Sequence, residues 1–98
     1  MDSRSVIQTL RAHEPELKAA GIVHLRVFGS VARGEETAES DVDLMAEFDR
    51  SKGFTLLTLA GLENRLIDLL GVEVDLTSPD WMKGPVRAQA MSEAIPVF

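Results

Sequence analysis

Two aspartates separated by a single residue are the most chemically suggestive feature of this 98-residue sequence. Asp41 and Asp43 stand at the start of an apolar run, VDLMAEF, that is typical of a β-strand. Residues two apart in a strand project from the same face with Cα atoms roughly 7 Å apart, so both carboxylates could share a metal ion. Taken alone, the pair is more typical of a solvated turn that enters a strand.

A third acid lies in the apolar segment VEVDL, where Asp75 is flanked by Val74 and Leu76. An unpaired buried charge costs several kcal/mol, and neighbouring carboxylates raise one another's pKa. Bound Mg²⁺ would relieve both problems, because it prefers carboxylates together with phosphates and water. Glu73 is a rival to Asp75, and strand alternation cannot choose between them because both would share one face.

A candidate phosphate-binding turn follows the first predicted strand. Gly29 allows a sharp turn and a close approach to a ligand. Ser30 is expected to cap the short helical turn that follows, whose free amides would attract phosphate. Arg33 could add a positive charge. The alternatives are an ordinary strand-ending turn and a surface arginine.

The elements that must position these residues follow from the apolar patterns along the chain. The order of elements predicts an α/β (α+β) fold, a small sheet with helices packed on it, as a single domain over residues 1–98. We expect helix over 3–20 with a restart at Pro15, strands at 22–28, 42–48 and 72–76, helices at 54–70 and 81–94, and an extended tail at 95–98.

The composition narrows the class of protein further. Scarce aromatic residues predict an aliphatic core, and the lack of cysteine excludes thiolate metal sites. A net charge of −6 disfavours direct nucleic-acid binding. With no long apolar run and no signal-peptide pattern at the N-terminus, we expect a cytoplasmic protein that makes no use of a membrane. Trp81, Met82 and Met91 are large apolar residues with little chain left to cover them, so an interface there is a hypothesis.

The candidate site residues together resemble a known signature. Gly29 and Ser30, ten intervening residues, then Asp41 and Asp43 resemble the nucleotidyltransferases of the DNA polymerase β superfamily. The run FGSVARGEETAESDVDL is similar to their minimal nucleotidyltransferase (MNT) branch, and the resemblance covers nearly the whole chain. It implies that Gly29 and Ser30 hold the triphosphate, that Asp41 and Asp43 bind two Mg²⁺ ions, and that Asp75 ligates one of them and helps activate the acceptor hydroxyl.

The MNT branch pairs with HEPN ribonuclease toxins in toxin–antitoxin modules. The resemblance therefore implies an adenylyltransferase antitoxin that moves AMP from ATP to a tyrosine hydroxyl of a HEPN toxin, as a hetero-oligomer with that toxin or a homo-oligomer. One alternative is a non-catalytic antitoxin that neutralises its toxin by occlusion. Another is a small-molecule nucleotidyltransferase of the antibiotic-modifying kind, whose acceptor pocket a second subunit would have to complete.

Overall fold

The computed structural model describes residues 1–98, which form five α-helices and four β-strands. Short 3₁₀ turns lie at Arg50–Lys52 and Pro79–Trp81. The elements are α1 (Ser3–Ala12), α2 (Glu14–Ala19), β1 (Ile22–Phe28), α3 (Gly29–Arg33), β2 (Val42–Phe48), α4 (Leu56–Leu70), β3 (Val74–Thr77), α5 (Gly84–Glu93) and β4 (Ile95–Pro96).

The four strands form one mixed sheet in the order β3-β2-β1-β4. Strand β1 runs antiparallel to both β2 and β4, whereas β2 and β3 run parallel and are connected through α4. A parallel pair needs a long crossover, and the 15-residue helix α4 supplies it. The predicted fold class, a small sheet with helices packed on it, is confirmed.

Local sequence signals explain the start of the chain. The Asp2 side chain accepts a hydrogen bond from the Ser5 amide at 2.8 Å and caps α1. The helical region breaks at His13, and Pro15 occupies the first turn of α2, where its missing N–H costs nothing. The predicted bounds of β1 and β2 are confirmed.

The C-terminal third differs from the prediction in three places. A helix from residue 81 is wrong, because residues 79–81 form a 3₁₀ turn in which the Ser78 side chain accepts from the Asp80 amide. Helix α5 begins only at Gly84, with Pro85 in its first turn. Strand β3 starts at Val74, two residues later than expected, and the tail contributes β4, which pairs with β1.

The core between the sheet and the helices is aliphatic, as the composition predicts. Its 16 clustered residues are all Val, Leu, Ile or Ala. The aromatic side chains of Phe48, Phe54 and Trp81 group at its edge. The Phe48 ring stacks on those of Phe54 and Trp81, with ring centroids 4.3 and 5.6 Å apart. None of the helices has the length and apolar character needed to cross a bilayer.

Candidate active site

The register of the parallel strands brings two of the predicted carboxylates side by side. Asp43 on β2 is the direct partner of Asp75 on β3. The residues before and after each aspartate are buried in the core, so both aspartates project from the opposite face of the sheet. Asp43 and Asp75 are therefore held side by side by the backbone hydrogen bonds between β2 and β3.

Glu73, the rival third acid, has a different position. It precedes β3, and its carbonyl accepts a hydrogen bond from the Val42 amide at 2.9 Å. Glu73 and Asp41 both line a depression of about 350 Å³. Asp41 lies immediately before β2 and is exposed. The strand register thus brings Asp75, and not Glu73, opposite Asp43.

Gly29 lies against Asp43 because Phe28, the last residue of β1, is the antiparallel partner of Asp43. The backbone dihedral angle φ of Gly29 is 71°, which lies in the left-handed region that favours glycine. A Cβ atom on Gly29 would collide with Oδ2 of Asp43 and lie 3.0 Å from its Cγ. Glycine is required here both for its conformation and for the space it leaves to the carboxylate.

A cleft of about 350 Å³ gathers four of the six predicted site residues. Gly29, Ser30, Arg33 and Asp43 line it on one side. The prediction that Ser30 caps the helical turn is wrong, because Phe28 holds the N-cap position and Ser30 lies inside the first turn of α3. The remaining lining residues come mostly from α5, namely Val86, Gln89, Ala90 and Glu93.

The electrostatics of the cleft centre on Asp43. Burial raises the pKa of the Asp43 carboxyl, and the negative charges of Asp75 and Asp41 raise that pKa further. The positive charge of Arg33 opposes these effects. Asp43 is therefore a carboxylate that would gain from a cation beside it.

The carboxylates offer only part of a metal coordination shell. No three Asp, Glu, His or Cys side chains converge closely enough to hold a metal ion by themselves. The donors near Asp43 are carboxylate oxygens alone, which suit Mg²⁺ and exclude the nitrogen or sulfur sets typical of zinc. Mg²⁺ commonly takes one or two carboxylates and completes its shell with substrate phosphates and water, so these residues fit that ion.

Sequence reasoning missed the contribution of α5. The Glu93 carboxylate accepts hydrogen bonds from the Gly29 amide at 3.3 Å and from Nη1 of Arg33 at 3.0 Å. Arg33 also donates from Nε to Glu35 at 3.0 Å, and these hydrogen bonds raise the pKa of its guanidinium. Glu93 is 64 residues from Gly29 in sequence, and no motif or periodicity connects the two.

Comparisons with known proteins identify similar sequences and similar folds. Residues 9–97 match the family described as the nucleotidyltransferase domain. The protein adenylyltransferase MntA of Thermococcus cleftensis is 36% identical over 87 residues, which cover 88% of this chain and 86% of that protein. A Methanocaldococcus jannaschii protein, provisionally named a protein adenylyltransferase, is also 36% identical over 87 residues, 88% of this chain and 87% of its own length.

Solved structures have the same fold. One, provisionally described as a minimal nucleotidyltransferase, is 43% identical with a TM-score of 0.73 and covers 98% of this chain and 96% of its own. A chain from the complex of a tri-AMPylated Shewanella oneidensis HEPN toxin with an MNT antitoxin has a TM-score of 0.65 at 15% identity. That match covers 94% of this chain and 71% of the other. At that identity the second likeness concerns the fold alone.

Proposed function

The chain belongs to the nucleotidyltransferase domain family, and on that premise we propose that it is a Mg²⁺-dependent protein adenylyltransferase that transfers AMP from ATP to a hydroxyl group of a partner protein. The observation that carries the proposal is the in-register pair Asp43 and Asp75 beside the Gly29 turn. One aliphatic core cluster joins the sheet to helices α1 to α4 and to Val97 near the C-terminus, which supports a single domain over residues 1–98.

Each residue of the site has a proposed role. The Gly29 amide, the Ser30 hydroxyl and the Arg33 guanidinium would hold the triphosphate in the cleft. Asp41, Asp43 and Asp75 would hold Mg²⁺, which when bound neutralises charge between the carboxylates and the phosphates. Asp41 is exposed, lines the adjoining depression and lies two residues before Asp43, and it would supply a further carboxylate for the ion.

The transfer itself joins the acceptor oxygen to the α-phosphorus of ATP. The bond from that phosphorus to the bridging oxygen breaks, and pyrophosphate leaves. The Asp75 carboxylate is exposed and lies beside Asp43, so it is placed to take the proton of the acceptor hydroxyl. Positioning and charge neutralisation supply most of the rate enhancement in such phosphoryl chemistry.

We propose a tyrosine of a HEPN ribonuclease toxin as the acceptor. Two similarities support this proposal. The similar Thermococcus cleftensis protein is a protein adenylyltransferase, and a chain of an AMPylated HEPN toxin–MNT antitoxin complex has the same fold. Adding AMP would place negative charge and bulk on the toxin surface, which would oppose RNA binding. This protein would then act as the antitoxin of the pair.

The test uses a HEPN toxin encoded beside this protein's own gene. The purified toxin is incubated with this protein, ATP and Mg²⁺, and intact-protein mass spectrometry then measures its mass. We expect a gain of one or more AMP units, lost with Asp43→Asn and kept with Asp68→Asn, which changes an exposed acid on α4. An unchanged toxin mass with tight co-purification would instead favour an antitoxin that acts by occlusion.

A further inference from the structure

The anion-binding groups of the cleft are engaged by a carboxylate of the same chain. One oxygen of Glu93, Oε1, accepts both from the Gly29 amide and from the Arg33 guanidinium. A single oxygen between a backbone N–H and a guanidinium is the arrangement in which a phosphate oxygen is normally bound. Glu93 is the last residue of α5, and its side chain is only 19% exposed, so this contact is part of the packed structure.

The charge of the cleft makes this contact consequential. Arg33 is the only cationic residue lining the cleft, and it is paired with both Glu93 and Glu35. Asp43 lines the same cleft, and the negative charge of Glu93 helps to raise its pKa. A triphosphate entering this cleft would therefore meet an arginine that two carboxylates already neutralise and an amide that is already bonded.

We infer that Glu93 occupies the position of a nucleotide phosphate oxygen, and that a nucleotide binds by displacing it from Gly29 and Arg33. This inference rests on the proposed function, since it assigns the cleft to a nucleotide. The contact holds the empty site in order and lowers its affinity for nucleotide, because each molecule bound must first break two hydrogen bonds to a charged acceptor.

Two features of the structure are compatible with this displacement. Arg33 keeps its hydrogen bond to Glu35 through Nε, which leaves Nη1 free to turn to a phosphate. Glu93 ends its helix, and the following Ala94 is extended, so the carboxylate can swing away without disturbing an ongoing helical turn. Displacement therefore requires Glu93 to break its contacts with Gly29 and Arg33, while the Arg33 bond to Glu35 need not break.

The test measures nucleotide affinity in the full chain by titration calorimetry, using Mg²⁺ and an ATP analogue that cannot be cleaved. Glu93→Gln removes the charge but keeps the shape, and Glu93→Ala removes both. We expect affinity to rise about twofold to fivefold, more in the alanine variant, because the nucleotide no longer has to displace a charged acceptor from both Gly29 and Arg33. Glu35→Gln is the matched control, because it removes the same charge from Arg33 but leaves the Gly29 contact, and we expect a change below about twofold.

A second readout follows the contact itself. The amide resonance of Gly29 in ¹⁵N-labelled protein should shift in both Glu93 variants without nucleotide, and circular dichroism should show that the fold is retained. If the wild type binds the analogue and both Glu93 variants bind it equally or more weakly, Glu93 is a scaffold for Arg33 and the inference is wrong. If neither the wild type nor any variant binds nucleotide, the proposed function itself is wrong.

Discussion

Replacing Gly29 with alanine tests the close approach on which the proposed site depends. Two costs are expected. A non-glycine residue at φ 71 loses roughly 1–2 kcal/mol, because its Cβ crowds the adjacent carbonyl in the left-handed conformation. The new Cβ would also meet the Asp43 side chain, 3.0 Å from Cγ and 3.2 Å from Cβ, with a still closer collision at Oδ2. Overpacking of this kind costs about 1–3 kcal/mol.

Gly34 provides a matched control for this substitution. It has φ 72, almost the same as Gly29, and nothing lies within 4 Å of a Cβ built on it. Gly34→Ala should therefore lose only the conformational term of about 1–2 kcal/mol, whereas Gly29→Ala should lose about 2–5 kcal/mol. The free energy of unfolding of a chain of this length is about 5–15 kcal/mol, so we expect most molecules of either variant to remain folded.

Urea unfolding of both variants measures the difference directly. Replacing Asp43 with alanine removes Oδ2 and Cγ but keeps the Cβ atom. Gly29→Ala in that background should therefore cost less than in the wild type, close to the conformational term alone. In the toxin-modification assay Gly29→Ala should lose about 100-fold in rate, since displacing a reacting group by about 1 Å has that effect. Equal losses of stability for the two glycine variants would refute the argument that Gly29 makes room for Asp43.

Three other perturbations follow from the same structure. Asp43→Asn should abolish transfer yet stabilise the metal-free protein by about 1 kcal/mol at neutral pH, the size of a partly screened repulsion between neighbouring unit charges. Because the folded state raises the pKa of Asp43, this advantage should vanish in unfolding experiments below the ordinary pKa of an aspartate. Leu66→Ala, at a fully buried position on α4, should cost about 2–5 kcal/mol in urea titrations, and a smaller loss would mean that the core collapses around it. Arg65 donates hydrogen bonds to Glu16 and lowers the pKa of that carboxyl group. The contribution of this pair to the stability of the folded state should persist above the ordinary pKa of a glutamate. It should disappear as the pH falls through the lower pKa that Glu16 has in the folded state. A pH-stability profile unchanged by Arg65→Gln would contradict that assignment.

The sequence predicts the elements of this fold where local physics decides them. The alternating and apolar patterns of β1 and β2 lead to their correct bounds, and Pro15 marks the restart between α1 and α2. The bounds fail near the C-terminus, where no periodic pattern exists. There the Ser78 side chain caps a 3₁₀ turn and α5 begins only at Gly84, with Pro85 in its first turn. These local signals do not appear in the apolar pattern from which the helix was predicted.

The same distinction applies to the candidate site. Gly29, Ser30, Arg33 and Asp43 are close in sequence and are predicted as one cluster, which the cleft brings together. Glu93 could not be predicted, because only the packing of α5 against α3 brings it to Gly29. A choice between Asp75 and Glu73 likewise needs a strand register, which the composition of neither strand specifies.

The register of β2 and β3 determines which carboxylates of the candidate site are neighbours. The observed pairing of Val42 with Val74 and of Leu44 with Leu76 matches buried residues on both strands, and it brings Asp43 opposite Asp75. A slip of one residue would turn the leucine outward and the aspartate into the core, which the cost of an unpaired buried charge forbids. The apolar residues between the acids therefore do more than fill the core. They hold two like charges side by side on the face of the sheet opposite the core, where the proposed Mg²⁺ and nucleotide phosphates would relieve the repulsion between the two carboxylates.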